Sequence, residues 1–448
     1  MSPVSSDSGR SGDTIFAPAT APGRAGIAVI RLSGPGSGAA LTAICGDGTL
    51  PVPRRARLSA FADPDTGEVL DRGLVLWFPG PDSFTGEDVA ELHCHGGGAV
   101  IAALLAVLAR LPGCRPALPG EFTRRAFQNG KMDLTQAEAL ADLVAAETEA
   151  QRRQAQRQMA GDLGRLYEGW RADLIGILAH LEAEIDFPDE DLPQDILARQ
   201  RPRLETLAGE ISAHLDDGQR GERLREGCHM VILGAPNVGK SSLLNALARR
   251  DAAIVSAQAG TTRDIVEVYL NLGGYPVVLA DTAGLRESGN AIEAEGVRRA
   301  RARGAQADLK IVLYDCAATP EPGPAVLEML GDDGILVANK IDRASAPPRQ
   351  GLPLSIKTGE GLAGLLQRLE AEAGQRMADS GAPGLTRLRH RLGLEGCRDA
   401  LMRGLEEREV ELVAEDVRLA ARHLGRITGR VDVEDILGVV FGEFCIGK

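Results

Sequence analysis

The stretch Gly234-Ala-Pro-Asn-Val-Gly239-Lys240-Ser241 constrains this chain more than any other. Its glycine spacing and Lys-Ser pair fit a loop that wraps phosphate in backbone N–H groups and opens a helix whose N-terminus attracts anions. The apolar run His229-Met-Val-Ile-Leu233 before it reads as a buried strand, and a helix is expected from Ser241 onward. Gly260-Thr-Thr262, Asp281-Thr-Ala-Gly284, Asn339-Lys340-Ile-Asp342 and Ser355-Ile-Lys357 follow in order. A phosphate-loop pattern alone arises by chance in roughly one chain in a hundred of this length. The ordered series therefore carries the inference.

Each element has a chemical reading. Lys240 reaches the β- and γ-phosphates and Ser241 offers a hydroxyl to Mg²⁺. Asp281 ends an apolar strand, placed to hold Mg²⁺ through water, and Gly284 can give its N–H to a γ-phosphate. Thr262 can ligate Mg²⁺ only when the triphosphate is present. Asp342 suits a carboxylate that accepts two N–H bonds from a guanine edge, a pair adenine cannot supply. The expected nucleotide is therefore GTP or GDP. Leu285 stands where many GTPases carry a water-orienting Gln, and no arginine finger is identifiable. Asn237 is a candidate ligand for a monovalent cation, with a loop-stabilising hydrogen bond as the equal alternative. Glu293 either orients water or is an ordinary exposed helix residue.

With 448 residues the chain has room for two to four domains. The net charge of −13 argues against an overall basic nucleic-acid-binding surface, though not against a local patch. Arg298–Arg303, Gln151–Arg157 and Arg387–Arg391 are the candidate patches, and each reads first as a solvated helix face. No apolar run is long enough to span a membrane, and the Ser/Gly-rich start, residues 1–12, reads as disordered and not as a signal peptide. A cytoplasmic chain with reduced cysteines is expected. Only Lys131, Lys240, Lys310, Lys340, Lys357 and Lys448 are lysines among 50 basic residues. A chain this biased should keep Lys where a compact ammonium is needed, which draws attention to Lys131 and Lys448.

Along the chain, Gly26–Leu32, Gly73–Phe78 and Val89–His93 read as strands and Val100–Arg110 as a helix, an α+β pattern. Residues 132–225 are helical in pattern, with an apolar stripe of Leu163, Leu166, Tyr167, Trp170, Leu174, Ile177 and Leu178. Residues 226–377 alternate short strands with amphipathic helices, implying a mostly parallel α/β sheet. Helical pattern returns from Leu385 to His423. The two helical stretches either pair into one domain with the α/β module inserted or form two separate domains. His93-Cys94-His95 lacks a matching ligand cluster, so a zinc site is not expected. Cys445 reads as a buried small hydrophobe or a reactive thiol.

The chain resembles the MnmE (TrmE) family of tRNA-modifying GTPases from Asp13 to Lys448. The resemblance rests on Ala21–Arg31, Asp82–Asp88, Pro119–Thr123, Asp186–Glu190, the nucleotide motifs and Phe444-Cys-Ile-Gly-Lys448. It implies an N-terminal α+β tetrahydrofolate-binding and dimerising domain over residues 1–130. It further implies a discontinuous all-helical domain over 131–225 and 378–448, and an inserted Ras-like P-loop G domain over 226–377. It implies a homodimer that joins an FAD-dependent MnmG (GidA) partner in a heterotetramer or larger assembly. That assembly would add a carboxymethylaminomethyl or aminomethyl group to C5 of the wobble uridine of certain tRNAs, with carbon from 5,10-methylene-tetrahydrofolate (or its 5-formyl analogue as ligand). Folate contacts would be Arg31, Glu91, Lys131 and Lys448. Nucleotide contacts would be Asn237, Val238, Gly239, Lys240, Ser241 and Ser242, then Ser256, Ala257, Gln258, Ala259, Gly260, Thr261 and Thr262. Asp281, Thr282, Ala283, Gly284, Asn339, Lys340, Asp342, Ser355, Ile356 and Lys357 would complete them. Potassium would take the place of an arginine finger, held by Asn237 and by carbonyls around Ser256, Gln258 and Thr261. Lys240, Glu293 and Cys445 are the catalytic candidates, and Ser241 and Thr262 the Mg²⁺ ligands. His93-Cys94 and Ile356 depart from the family pattern. The alternative function is a regulatory GTPase of ribosome assembly.

Overall fold

In the computed structural model the described residues are 12–46, 48–186, 196–217, 219–249, 267–281, 307–331, 334–378, 381, 383–431, 434–442, 444 and 447. They form two compact units, 1–141 with 425–448, and 142–424.

The first unit is built on a six-stranded sheet in the order β3-β4-β5-β2-β1-β6. Its strands are β1 (Thr14–Pro18), β2 (Ala25–Ser33), β3 (Arg57–Ala62), β4 (Val69–Phe78), β5 (Val89–Gly96) and β6 (Cys114–Pro116). All neighbours are antiparallel except β1 and β6. In β2 and β5 the side chains alternate between core and open face: Ile30, Leu32, Leu92 and Cys94 are buried, while Arg31, Glu91 and His93 are partly exposed. Helices Ser37–Cys45 and Gly98–Arg110 cover the core, where Leu41, Ile44, Leu104 and Leu108 pack on the sheet. Strands β2, β4 and β5 follow the expected pattern. Strand β1 lies between β2 and β6, so Ile15, Phe16 and Ala17 are all buried and it shows no alternation to read.

Residues from the far end of the sequence complete this unit. Leu437, Phe441 and Phe444 pack with Leu134 and Ala137, and the Phe127 and Phe441 rings lie 6.3 Å apart. Gly447 sits so tightly on β1 that a Cβ there would lie 2.0 Å from the Pro18 carbonyl oxygen, and its φ of 106° suits glycine.

The second unit carries a sheet in the order β12-β11-β10-β7-β9-β8. These strands are β7 (Cys228–Gly234), β8 (Glu267–Leu272), β9 (Tyr275–Asp281), β10 (Leu309–Asp315), β11 (Gly334–Asn339) and β12 (Leu352–Leu354). All pair in parallel except β8, which forms a hairpin with β9 through Gly273 and Gly274, both at positive φ. The mostly parallel α/β expectation holds. Three-residue β12 is too short to carry a periodic signal.

Helices in this unit include Glu149–Met159, Asp162–Asp186, Ile196–Leu215, Arg220–Glu226 and Leu388–Glu406. The first starts at a capping box: the Thr148 hydroxyl accepts from Gln151 N and the Gln151 side chain accepts from Thr148 N. The apolar stripe is buried at Leu163, Tyr167, Trp170, Leu174 and Ile177, and continues to Leu181, while Leu166 and Leu178 are half-buried at its margins. Helices from both sides of the α/β module pack together, with Arg201 donating to the Leu405 carbonyl and, at 2.7 Å, to that of Glu407.

One expectation is corrected here. Arg387–Arg391 does not form a solvated face. Arg387 is 8% exposed and lies 2.9 Å from Asp142. Arg391 lies 2.9 Å from Asp217 and 3.1 Å from Glu222. Their periodicity reads as surface because guanidinium groups are usually solvated, but paired carboxylates allow burial. By contrast, Arg152 and Arg153 remain exposed, both paired with Glu149. Arg298–Arg303, the acidic loop Phe187–Pro193 and residues 1–11 lie outside the described residues. Among the described residues no helix is long and apolar enough to cross a membrane.

Candidate nucleotide and cofactor sites

The phosphate loop follows β7 directly and leads into helix Lys240–Ala248, which starts one residue earlier than expected. Asn237 and Gly239 adopt positive φ (61° and 109°), a local winding that turns successive N–H groups toward one side. Lys240 is 9% exposed and donates to the carbonyls of Gly234 and Ala235, each at 3.0 Å. Its ammonium is thus held on the loop by weak acceptors that an anion can outcompete. Asp281 closes β9 beside Ile232 of β7.

The residues expected to recognise the base converge on the same sheet edge. Asn339, 2% exposed, ends β11 and donates through Nδ2 to the Val238 carbonyl at 2.7 Å, and Ile356 N donates to its Oδ1 at 3.4 Å. Gly239 has no room for a side chain, since a Cβ would lie 2.5 Å from Asn339 Nδ2. The Ser355 hydroxyl, fully buried, donates to Asp342 Oδ1 at 2.7 Å and accepts from Thr358 N at 3.2 Å. Ile356 takes part through its backbone, as its departure from the family pattern requires, and Lys357 is exposed beside it. Phosphate loop, Asn339, Asp342 and Ser355 therefore form one continuous hydrogen-bonded edge. Sequence reading does not single out Asp315, which ends β10, or Cys316, which follows it, and both support this edge; an acidic residue closing an apolar strand was the available signal.

A second cluster lies on the open face of the first unit. The register pairs Arg31 with Glu91, and Arg31 Nε and Nη2 both donate to Glu91 Oε1 at 3.0 and 2.9 Å. Glu91 Oε2 lies 3.2 Å from His93 Nε2, and the Arg31 guanidinium sits 5.5 Å from the centre of the Phe84 ring. Lys131 donates to the Pro81 carbonyl at 2.7 Å, and its stem runs beside Gly86. Loop 81–88 thus touches Arg31 through Phe84 and Lys131 through Pro81.

That loop is pinned from beneath. Ser33 donates to Glu87 at 2.7 Å, and Arg125 reaches Glu87 at 3.0 Å and Glu121 at 3.2 Å. Glu121 also accepts from Arg115 at 2.6 Å and from Leu118 N at 2.9 Å. Burial alone would raise the Glu121 carboxyl, but Arg115, the Leu118 N–H and Arg125 outweigh it and hold it below its usual range. The Asp82–Asp88 and Pro119–Thr123 motifs therefore build the scaffold under the cluster.

His93-Cys94-His95 separates by the strand pleat. Cys94 is buried and donates to the Ala28 carbonyl, and His95 is held by Asp71 through its N–H at 2.8 Å and Nδ1 at 2.7 Å. Among the described residues no group of three or more His, Cys, Asp or Glu side chains can hold a metal ion. Ser256–Thr262, Thr282–Gly284, Leu285, Glu293, Cys445 and Lys448 lie outside the described residues.

Comparison with known proteins decides the family. Residues 14–131 match the description "GTP-binding protein TrmE N-terminus" and residues 134–445 match "MnmE helical domain". A tRNA modification GTPase MnmE of Rhodospirillum rubrum is 58% identical, covering 97% of this chain and 99% of its own length. This chain belongs to the MnmE family. The human mitochondrial 5-taurinomethyluridine-[tRNA] synthase subunit GTPB3 is 48% identical over 98% of this chain and 94% of its own length. Among solved structures, the G domain of the T. maritima FeoB iron transporter is 29% identical over 32% of this chain and 98% of its own, with a TM-score of 0.25.

Proposed function

We propose that this chain is a tRNA modification GTPase that hydrolyses GTP with Mg²⁺ and K⁺. With an FAD-dependent partner of the MnmG (GidA) type it adds an aminomethyl or carboxymethylaminomethyl group to C5 of the wobble uridine. The observation that carries the reading is the single edge on which the phosphate loop, Asn339, Asp342 and Ser355 meet, in a chain matched to its relatives over nearly its whole length. Asp342 recognises guanine, Lys240 neutralises the phosphates, and Ser241 offers its hydroxyl to Mg²⁺. Asn237, at positive φ inside the loop, is the described candidate for a potassium ligand. Bound there, K⁺ would supply the positive charge that an arginine finger supplies elsewhere.

The Arg31–Glu91–Lys131 cluster is read as the tetrahydrofolate site. Its two cations and one carboxylate suit a ligand with carboxylate groups and a ring bearing N–H donors. The bound folate supplies the added carbon. Exposed Ile27, Leu58 and Leu74 on the same sheet support a homodimer, since an uncovered apolar sheet face favours association. We read residues 1–130, 131–225 with 378–448, and 226–377 as the three modules of this arrangement.

The test is steady-state GTP hydrolysis by the purified protein in KCl and in NaCl at equal ionic strength. Strong stimulation by potassium is expected. Equal slow rates in the two salts would refute the cation role of Asn237.

A further inference from the structure

The carboxyl end of β10 holds an acidic residue outside all of the nucleotide motifs, Asp315, which pairs with Lys340 of the Asn339–Asp342 motif. Strands β10 and β11 run in parallel with Asp315 in register with Asn339, so the last residues of both strands lie side by side. Lys340, the next residue, has a left-handed backbone (φ 68°, ψ 35°), unusual for a side-chain-bearing residue. That conformation turns its side chain back across β10, where Nζ lies 2.7 Å from Asp315 Oδ2. Asp315 is itself fixed, with Oδ1 accepting from Ala317 N at 3.0 Å. Cys316, buried, secures the neighbouring position: its N–H and its thiol each donate to the Asn339 carbonyl at 3.0 Å. Burial would raise the Asp315 carboxyl, but Lys340 and the Ala317 and Ala318 N–H groups outweigh it, so it stays ionised.

Two facts make this pair more than a surface contact. Lys340 stands between Asn339, which ties the base-recognition edge to the phosphate loop, and Asp342, which the Ser355 hydroxyl orients. A lysine side chain is also rich in rotamers, so an unheld Lys340 would lose that freedom each time a nucleotide packed against its stem.

We propose that Asp315 is a positioning residue for guanine-nucleotide binding, acting through Lys340, whose stem it fixes as a wall of the base pocket. The inference rests on the nucleotide-site reading above and deepens it. Asp315 touches no ligand atom. It removes an ordering cost that binding would otherwise incur.

The experiment measures release of a fluorescent N-methylanthraniloyl-GDP from the full-length protein. Wild type is compared with Asp315→Asn, Asp315→Glu, Lys340→Ala and the Asp315→Asn/Lys340→Ala double variant. Asn keeps an oxygen for the Ala317 N–H and so preserves the turn. Asp315→Asn is expected to release the nucleotide roughly tenfold faster, the scale of one ordered lysine side chain. The matching loss in GTP turnover should fall on KM more than on kcat, with Asp315→Glu recovering part of it. In the Lys340→Ala background Asp315→Asn should add nothing. Wild-type release from Asp315→Asn overturns the inference, as does a full additional effect in the Lys340→Ala background, because Asp315 would then act independently of Lys340. Absence of nucleotide binding by wild type would instead overturn the nucleotide-site reading, and the inference with it.

Discussion

In the candidate nucleotide site the proposed ligand groups sit at the carboxyl ends of parallel strands, each followed at once by its own loop. In the Arg31–Glu91–Lys131 cluster they sit mid-strand and at a helix end, joined by antiparallel pairing and by a loop from elsewhere in the chain. The first plan keeps ligand groups adjacent in sequence, because a strand end and its loop are one short segment. The second disperses them, because neighbours across a sheet can be any distance apart in the chain. Backbone carries much of the first site and side chains carry nearly all of the second.

If the comparison is right, the first site should fail completely when its backbone is blocked. Gly239→Ala places a Cβ at positive φ and 2.5 Å from Asn339 Nδ2. It should abolish GTP hydrolysis and leave folate binding in place; a GTPase rate near wild type would show that the loop need not close on Asn339.

A smaller and graded effect is expected in the second site, where each side chain contributes separately. Glu91→Gln and Lys131→Ala should each weaken binding of a 5-formyl-tetrahydrofolate by about 10–100-fold, the worth of one charged hydrogen bond. GTP hydrolysis should be untouched. Unaltered folate affinity in both variants would remove the assignment.

The smallest effect concerns the scaffold. Glu121 has its folded pKa held below the usual value near 4.5, so the stability it gives is fully present above that pH and is lost as pH falls through the depressed value. Glu121→Gln should cost about 2 kcal/mol at neutral pH and less in acid. Chemical denaturation at pH 7 and pH 3 measures it, and an equal cost at both would show that the ionised carboxylate is not what matters.

Legibility in the sequence follows the same division. The nucleotide motifs were legible because glycine at positive φ and a polar residue closing a strand leave a local mark, and Lys240, Asn339, Asp342 and Ser355 of those motifs do lie along one edge. Asp315 left a weaker mark, since its partner lies just past the end of the neighbouring strand, 25 residues along the chain. Arg31 and Glu91 came from family resemblance; nothing local announces that β2 and β5 pair with these two residues opposed. The buried pairs of Arg387 and Arg391 were misread for the same reason, their carboxylates lying far away in the chain. Strands β1, β6 and β12 were missed because burial on both faces, or a length of three residues, erases alternation; β3 does alternate, but its outward Leu58 and inward Ser59 invert the apolar-in, polar-out pattern.

Gly447 packed on Pro18 also bears on the order of assembly. The first unit contains the earliest described residues, yet it draws Leu437, Phe441, Phe444 and Gly447 from the end of the sequence. During synthesis its sheet leaves the ribosome first and must wait, with the apolar side chains around Leu134 uncovered, while the entire second unit is made. The GTP-binding unit can thus close on itself before the sheet bearing Arg31 and Glu91 receives its last pieces.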